Sequence, residues 1–331
     1  MRCGAVRPVR TDTIALMRPI PRIGPVETAV RPRWSVVVPV HNCAPFLADA
    51  LTGVLAQLSA VDSEVIVLDD DSDDDPARVV EQVGRGRVRF VANPGRLGAS
   101  ATFNRGLELA SGEFVHLLHG DDAVLPGFYR AMGSALGTTT ALAAICRVED
   151  IDAANAPLYR TRSYRRGTGV WGDALEALAV SNRVRAPGIV VRRSAYELVG
   201  GFRTDLPHAA DWDMWTRLAA RGPVVFVDQV LARYRRHPGS DSRARVLSGA
   251  NIRERVSAIG VLAGYLEPRR RPWLTRRALL YAAVFATRTS LSSARAREWR
   301  TARVQLLEAV RCLLQLPRGV SRPSSTELVG E

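Results

Sequence analysis

Four short segments hold most of the residues whose types and spacing could do chemistry. The first is the acidic run Asp69-Asp70-Asp71-Ser72-Asp73-Asp74-Asp75. An aspartate at the carboxyl end of a strand can accept hydrogen bonds from a nucleobase N–H or from ribose hydroxyls. The same run suits the start of a helix, where acids complement free N–H groups and the helix dipole. Asp69 to Asp71 are expected to face a site, and Asp73 to Asp75 to serve a helix terminus. The second is Asp121-Asp122. Adjacent carboxylates repel unless donors or a cation lie with them, and a hard divalent ion shared with a diphosphate meets that need. An Asp-Asp turn without any metal is the plain alternative. The third is Asp211-Trp-Asp-Met-Trp-Thr-Arg217. Asp211 can cap a helix, and Asp213 with Arg217, four residues on, can form a surface pair. Otherwise a carboxylate here acts as a general base in a cleft that the indoles keep dry. The fourth is Tyr234-Arg-Arg-His-Pro-Gly239. Arginine and histidine beside a diphosphate neutralise a leaving group, or the imidazole ligates a metal; a merely exposed histidine is the alternative.

These segments follow predicted strands. Trp34 to Pro39 and Glu64 to Leu68 are short β-branched runs of the kind buried on both faces of a parallel sheet. Arg87 to Ala92 and Glu113 to Leu118 are the third and fourth strands, with helices over Ala44–Leu58 and Ser100–Ala110. Alternation of this kind predicts an α/β, Rossmann-like, doubly wound and mostly parallel sheet, whose ligands bind beyond the carboxyl ends of the strands. His41 and Asn42, the run from Asp69, and Asp121-Asp122 all fall at that edge. Beyond Gly137 the pattern is mixed. Pro187-Gly-Ile-Val-Val-Arg192, Val224–Val227 and Val230–Tyr234 read as strands and Asp211–Ala220 as a helix. From about Ser248 to Leu316 the chain reads as helical, with breaks near Pro268 and Pro272.

The chain has 331 residues and a formal charge of +13, and every one of its 46 basic residues is arginine. Residues 1–34 carry a net +5 and residues 245–331 a net +10, whereas 35–244 carry a net −2. The central region is therefore no nucleic-acid surface, although the total charge alone suggests one. The four cysteines, Cys3, Cys43, Cys146 and Cys312, form no CxxC pair, which argues against a zinc ribbon or a disulfide framework and fits a reducing cytoplasm. The arginine-bearing N-terminus has no uninterrupted apolar stretch of the signal-peptide kind. The expected division is a flexible basic leader over 1–33, a catalytic domain over 34–244, basic helices over 245–317 and a flexible tail over 318–331.

Taken in order, the motifs resemble those of the family 2 glycosyltransferases, which have the GT-A fold. Ser35-Val-Val-Val-Pro-Val-His-Asn42 is similar to that family's opening strand, and Asp69-Asp70-Asp71-Ser72 to its Asp-Asp-Gly-Ser. Asn93-Pro-Gly95, Asn104-Arg-Gly106, Ala110-Ser-Gly-Glu113 and His119-Gly-Asp-Asp122 follow in family order. Val199-Gly-Gly-Phe202, Asp211-Trp-Asp-Met-Trp-Thr-Arg217 and Tyr234-Arg-Arg-His237 complete the series, which spans roughly residues 34–240. The resemblance implies inverting transfer from a nucleotide-diphosphate sugar to an acceptor hydroxyl. It implies a nucleotide-sugar site from Pro39, His41, Asn42, Asp69, Asp70, Asp71, Asn104 and Asp121. Mg²⁺ or Mn²⁺ would be held by Asp121, Asp122 and His237, and Asp211 would be the general base. Three positions depart from the pattern: His119 and Ala210 stand where acids are usual, and Asp71 where glycine is usual. A catalytically silent homologue that binds sugar nucleotides is the competing reading these leave.

The C-terminal helices carry Arg269-Arg-Arg271, Arg276, Arg277, Arg288, Arg295, Arg297, Arg300 and Arg303 beside Trp273, Leu279, Leu280, Val284, Phe285 and Trp299. A solvated basic face is one expectation. Attachment to an anionic membrane surface, where a lipid-linked acceptor would reside, is the other.

Overall fold

The structure, a computed structural model, describes residues 19–317 and Val320, apart from Ala29, Pro238 and Ser240, and only the backbone of 241–244. The expected leader thus lies outside the described residues up to position 18, as does the expected tail except for Val320. The chain divides into two compact units, one from Ile20–Leu178 and Asn182–Ser240, the other holding the segment from Asp241 onwards.

The first unit runs β1 (Trp34–Val40), α1 (Ala44–Leu55), β2 (Ser63–Asp69), α2 (Pro76–Gly84), β3 (Val88–Ala92), α3 (Ala99–Leu109), β4 (Phe114–Leu117), β5 (Ala123–Val124), α4 (Phe128–Gly137) and β6 (Ala143–Ile151). It continues through β7 (Pro157–Arg160), β8 (Gly169–Val170), α5 (Ala174–Val180), β9 (Ile189–Arg192), α6 (Arg193–Val199), α7 (Ala210–Arg221) and β10 (Val224–Arg235). All ten strands form one sheet, ordered β3-β2-β1-β4-β9-β6-β10-β5, with β7 on β6 and β8 on β10. The first four strands in that order are parallel, and β6 and β10 are parallel to each other. The mostly parallel α/β sheet is as the alternation of runs implied.

β1 shows why these residues make this element. Successive side chains of a strand point to opposite faces, and every residue of β1 is buried. Val36, Val38 and Val40 enter a core with Leu47, Leu51 and Val54 of α1 and Met132 of α4. Val37 enters a second core on the other face with Leu107 of α3 and Met214, Trp215 and Leu218 of α7. Because β1, β2 and β4 are parallel, with Val40 opposite Asp69 and Val37 opposite Leu117, their carboxyl ends share one edge.

Three features differ from the sequence expectation. Val224–Val227 and Val230–Tyr234 are one strand, interrupted only by register shifts against β6 between Val227 and Ala232. Residues 186–188 of the expected Pro187–Arg192 strand form a 3₁₀ turn, leaving Ile189–Arg192 to run antiparallel to β4 and β6. Part of the expected leader is packed on this unit. Ile23 is buried, the Gly24 carbonyl accepts from Arg193 Nη2 (2.9 Å), and the Pro21 carbonyl accepts from the Gly201 N–H (2.8 Å).

The second unit contains α8 (Asp241–Ser248), α9 (Ala250–Leu262), α10 (Arg271–Arg295) and α11 (Trp299–Leu314). Pro272 lies in the first turn of α10, where a missing N–H costs no helical bond. No helix among the described residues is long and apolar enough to cross a membrane.

Candidate functional site

Three loops leave the shared sheet edge. In the first two, His41 Nδ1 lies 3.0 Å from the Asp70 carbonyl oxygen. The Asn42 side-chain oxygen accepts the Asp73 N–H (2.8 Å), and the Asn42 N–H donates to Ser72 Oγ (3.1 Å). Asp69 Oδ1 accepts both the N–H and the hydroxyl of Ser72. Asp74 accepts the N–H of Ala44 (2.8 Å) at the start of α1, and Asp75 accepts the N–H of Arg78 (3.2 Å) to cap α2. Asp74 and Asp75 thus serve helix termini, as expected of that part of the run. Asp71 sits in the left-handed region (φ 65°) and is exposed, a conformation for which glycine is the unstrained residue.

Asp70 turns inward. Its carboxylate accepts from Asn93 Nδ2 (2.7 Å) and the N–H groups of Leu97 (2.8 Å) and Gly98 (2.9 Å). Burial alone would raise its pKa, but these bonds and one from Thr102 hold it below the ordinary value. Pro39 is buried in β1, and its carbonyl accepts the Gly120 N–H (3.1 Å). A Cβ at Gly120 would come within 2.6 Å of Val40 Cγ1 and 2.8 Å of Cys43 Sγ, so the acidic loop can run against the end of β1 only with glycine there. Asn104 is set apart from the rest. It is buried on α3, donating to the Phe202 carbonyl (2.9 Å) and accepting the Phe202 N–H (2.6 Å), so both halves of its amide are used on the backbone.

The third loop carries the acid pair. Antiparallel pairing of β5 with β10, Ala123 opposite Arg233, brings Asp121 and Asp122 against the end of β10. There the Arg235 N–H donates to Asp122 Oδ1 (2.9 Å), Arg235 Nε donates to the Asp121 carbonyl (2.8 Å), and Arg235 Nη1 donates to Asn155 Oδ1 (2.8 Å). His237 Nε2 lies 3.0 Å from Asp121 Oδ2. Asp122 Oδ2 is buried with no hydrogen-bond partner, 3.8 Å from His119 Nδ1. Burial, and then the Asp121 charge, push Asp122 well above the ordinary carboxylate value. Burial also acts to raise Asp121, but the His237 bond and the nearby imidazoles hold it low. Ligand atoms of His119, Asp121 and Asp122 all lie within 4.8 Å of one another. An orphaned buried oxygen beside a second carboxylate and an imidazole fits a divalent cation. His119 takes the third place in this cluster, and His237 stands behind Asp121.

Asp211 lies in the first turn of α7 and does not cap it; Ala209 occupies the N-cap. Its Oδ2 accepts from Asn182 Nδ2 (2.9 Å) and its Oδ1 from the Trp212 N–H (2.6 Å). Burial raises its pKa against those two bonds and against the imidazoles of His208 and His119. A carboxyl so placed is a better proton acceptor near neutral pH. The expected surface pair of Asp213 and Arg217 is buried instead: Arg217 Nε donates to Asp213 (2.8 Å) while its Nη groups bind the Val199 and Gly201 carbonyls. Trp212 and Trp215 are core residues here.

Asn182 stands outside every motif, whereas Asn93 belongs to the quoted Asn93-Pro-Gly95 and Arg235 to the quoted Tyr234-Arg-Arg-His-Pro-Gly239. Neither of those two positions foretells the partners it holds. Asn182 carries no signal, because its partner is 29 residues away.

A model of the glycosyl transferase family 2 matches residues 35–197. The chain is 31% identical over 229 residues to an uncharacterized protein of Mycobacterium tuberculosis, spanning 66% of this chain and 71% of that one. Its fold is similar to S. aureus TarS 1-349 in complex with UDP-GlcNAc, with TM-score 0.64 and 16% identity over 86% of this chain and 82% of that one. It is also similar to the mannosyltransferase PcManGT from Pyrobaculum calidifontis in complex with GDP-Man and Mn²⁺, with TM-score 0.55 and 20% identity over 92% of each chain.

Proposed function

The chain belongs to glycosyl transferase family 2 and has the GT-A fold, and from that premise we propose that it is an inverting transferase acting on a nucleotide-diphosphate sugar. The observation that carries this reading is the free, buried Asp122 Oδ2 beside Asp121 and His119, at the same sheet edge as the Asp69–Asp71 loop. In this reading His41, Asn42 and Asp69 to Asp71, supported by Pro39, hold the nucleoside. Asp121, Asp122 and His119 hold Mg²⁺ or Mn²⁺, and His237 steadies Asp121. When bound, the ion supplies positive charge against the departing diphosphate. Asp211, oriented by Asn182, accepts the proton of the acceptor hydroxyl as its oxygen attacks the anomeric carbon. The bond from that carbon to the diphosphate breaks on the opposite side, so configuration inverts. The acceptor is a hydroxyl on a polysaccharide, lipid-linked or other glycoconjugate precursor. The enzyme works on the cytoplasmic side, held peripherally at the membrane by its basic C-terminal helices.

The test is nucleotide release from a panel of sugar nucleotides with candidate acceptors. Asp211→Asn should lower release by at least about 10³-fold while nucleotide binding by calorimetry is kept. Binding without release by the wild-type chain, whatever the donor and acceptor, would mark a silent sugar-nucleotide-binding homologue.

A further inference from the structure

Helix α11 is amphipathic in the reverse sense to a helix on a soluble domain. Its buried residues are Thr301, Ala302, Gln305, Glu308, Ala309 and Cys312, mostly small or polar. Two of the polar ones are bonded inside the unit: Gln305 Nε2 donates to the Val246 carbonyl (2.7 Å) and to Asn251 (2.9 Å), and Glu308 pairs with Arg253 (2.8 Å), while Gln305 Oε1 is left without a partner. The opposite stripe is Trp299, Leu306, Leu307, Val310, Leu313 and Leu314, and each is about half exposed or more, Leu314 reaching 81%. These positions recur at helical spacing, so they form one continuous apolar face. α10 repeats the pattern, with Leu280, Tyr281, Val284, Phe285 and Leu291 exposed along one side. Ser290 Oγ of α10 donates to the Ala302 carbonyl of α11 (2.7 Å), tying the two into a hairpin. Scattered exposed leucines need no explanation, but two parallel stripes do.

Charge identifies what covers them. Residues 271–317 contain nine arginines and two glutamates. Glu308 is buried and paired with Arg253 and Arg311, whereas Arg277, Arg288, Arg295, Arg300 and Arg303 are exposed beside the stripes. Trp299, Arg300, Arg303, Val304 and Leu307 line an open hollow of about 500 Å³. A second copy of the chain, related by a two-fold axis, would set these arginines against their own kind. An anionic bilayer complements both features, since leucine and indole enter the acyl boundary while guanidinium groups remain at the phosphates. We propose that the outward stripes of α10 and α11 form a peripheral docking surface for a bilayer of anionic phospholipid. This deepens, and rests on, the peripheral placement given above by assigning it one face and one lipid class. α10 and α11 lie along the membrane in this arrangement and do not cross it.

The test is flotation of the full chain with vesicles of phosphatidylglycerol and phosphatidylcholine, against vesicles of phosphatidylcholine alone, with oligomeric state measured by light scattering. The wild-type chain should float with the anionic vesicles only. Leu306→Glu with Leu313→Glu should weaken partitioning at least about tenfold, and Arg300→Ser with Arg303→Ser severalfold. Both pairs are exposed, and unchanged circular dichroism and nucleotide affinity will show that the fold persists. If the leucine pair floats as well as the wild type while deletion of 245–331 abolishes flotation, the peripheral placement stands and this face is wrong. If nothing floats with anionic vesicles, both fall. If the wild type is a dimer that the leucine pair converts to a non-floating monomer, the face is a self-association surface and the proposal is overturned.

Discussion

At the scale of single residues, two carboxylates with opposite surroundings divide the work. Asp70 is enclosed by donors and held low, and its bonds tie the loop after β2 to the start of α3. Asp122 keeps one oxygen without any donor. A carboxyl raised in the fold costs stability above the ordinary carboxylate value, so Asp122 beside Asp121 weakens the fold unless a cation is present. Asp122→Asn should therefore leave the metal-free chain as stable or raise its Tm by a few degrees, since an amide oxygen can still accept the Arg235 N–H. The wild type should show a Mn²⁺-induced rise in Tm that this variant lacks, and thermal scans with and without Mn²⁺ check both. As the proposed base, Asp211 supplies a pH dependence. A base must be deprotonated, and burial raises this carboxyl, so release is present above the raised value and lost as pH falls through it. The acid limb of the rate profile should lie above the ordinary aspartate value. Asn182→Ala removes a donor that favours the charged form, so the limb should move to higher pH with most of the plateau rate retained. A limb that does not move would count against Asp211 as the titrating group. Of these residues the aspartates were legible because strand ends and motif order marked them. Asn182 was not, because no local pattern joins it to α7.

At the scale of elements, strands covered on both faces were readable and the others were not. β1 and β2 are dense in valine and isoleucine because helices cover both faces. β6, Ala143–Ile151, lies in the middle of the sheet yet carries Arg147, Glu149 and Asp150. Its acids are neutralised from distant segments, Glu149 by Arg160 and Arg233 and Asp150 by Arg185 and Arg236, so the strand lacks the composition of a buried one. The antiparallel entry of β9 likewise depends on pairing partners that periodicity does not reveal. The approach of α3 to β1 gives a prediction at this scale. A Cβ at Gly106 would meet Val37 Cγ1 at 2.5 Å, inside the buried strand. Replacing a helical glycine by alanine ordinarily stabilises by up to about 1 kcal/mol. Overpacking a core ordinarily costs about 1–3 kcal/mol. Gly106→Ala should therefore be net destabilising by about 1–2 kcal/mol, read from the denaturant midpoint. A stabilised variant would mean that Val37 gives way.

For the molecule as a whole, the formal charge of +13 describes its periphery, since residues 35–244 carry a net −2. On the proposed reading, the acids at the sheet edge and the arginines of the C-terminal helices address different partners, a diphosphate with its cation in one case and a lipid surface in the other. That partition was visible in the sequence as a change in net charge along the chain. The outward-facing leucines of α11 were not, because a stripe of leucine reads equally well as a core until the buried side is seen to be glutamine, glutamate and threonine. The clamp of Arg235 and His237 on the Asp121-Asp122 loop also sets an order of events. The loop and its clamp are 113 to 116 residues apart. A chain emerging from the ribosome has made both aspartates long before β10 exists to align them. The proposed cation site would thus be among the last features to mature, and an incomplete chain released early would carry the acidic loop without the alignment that site needs.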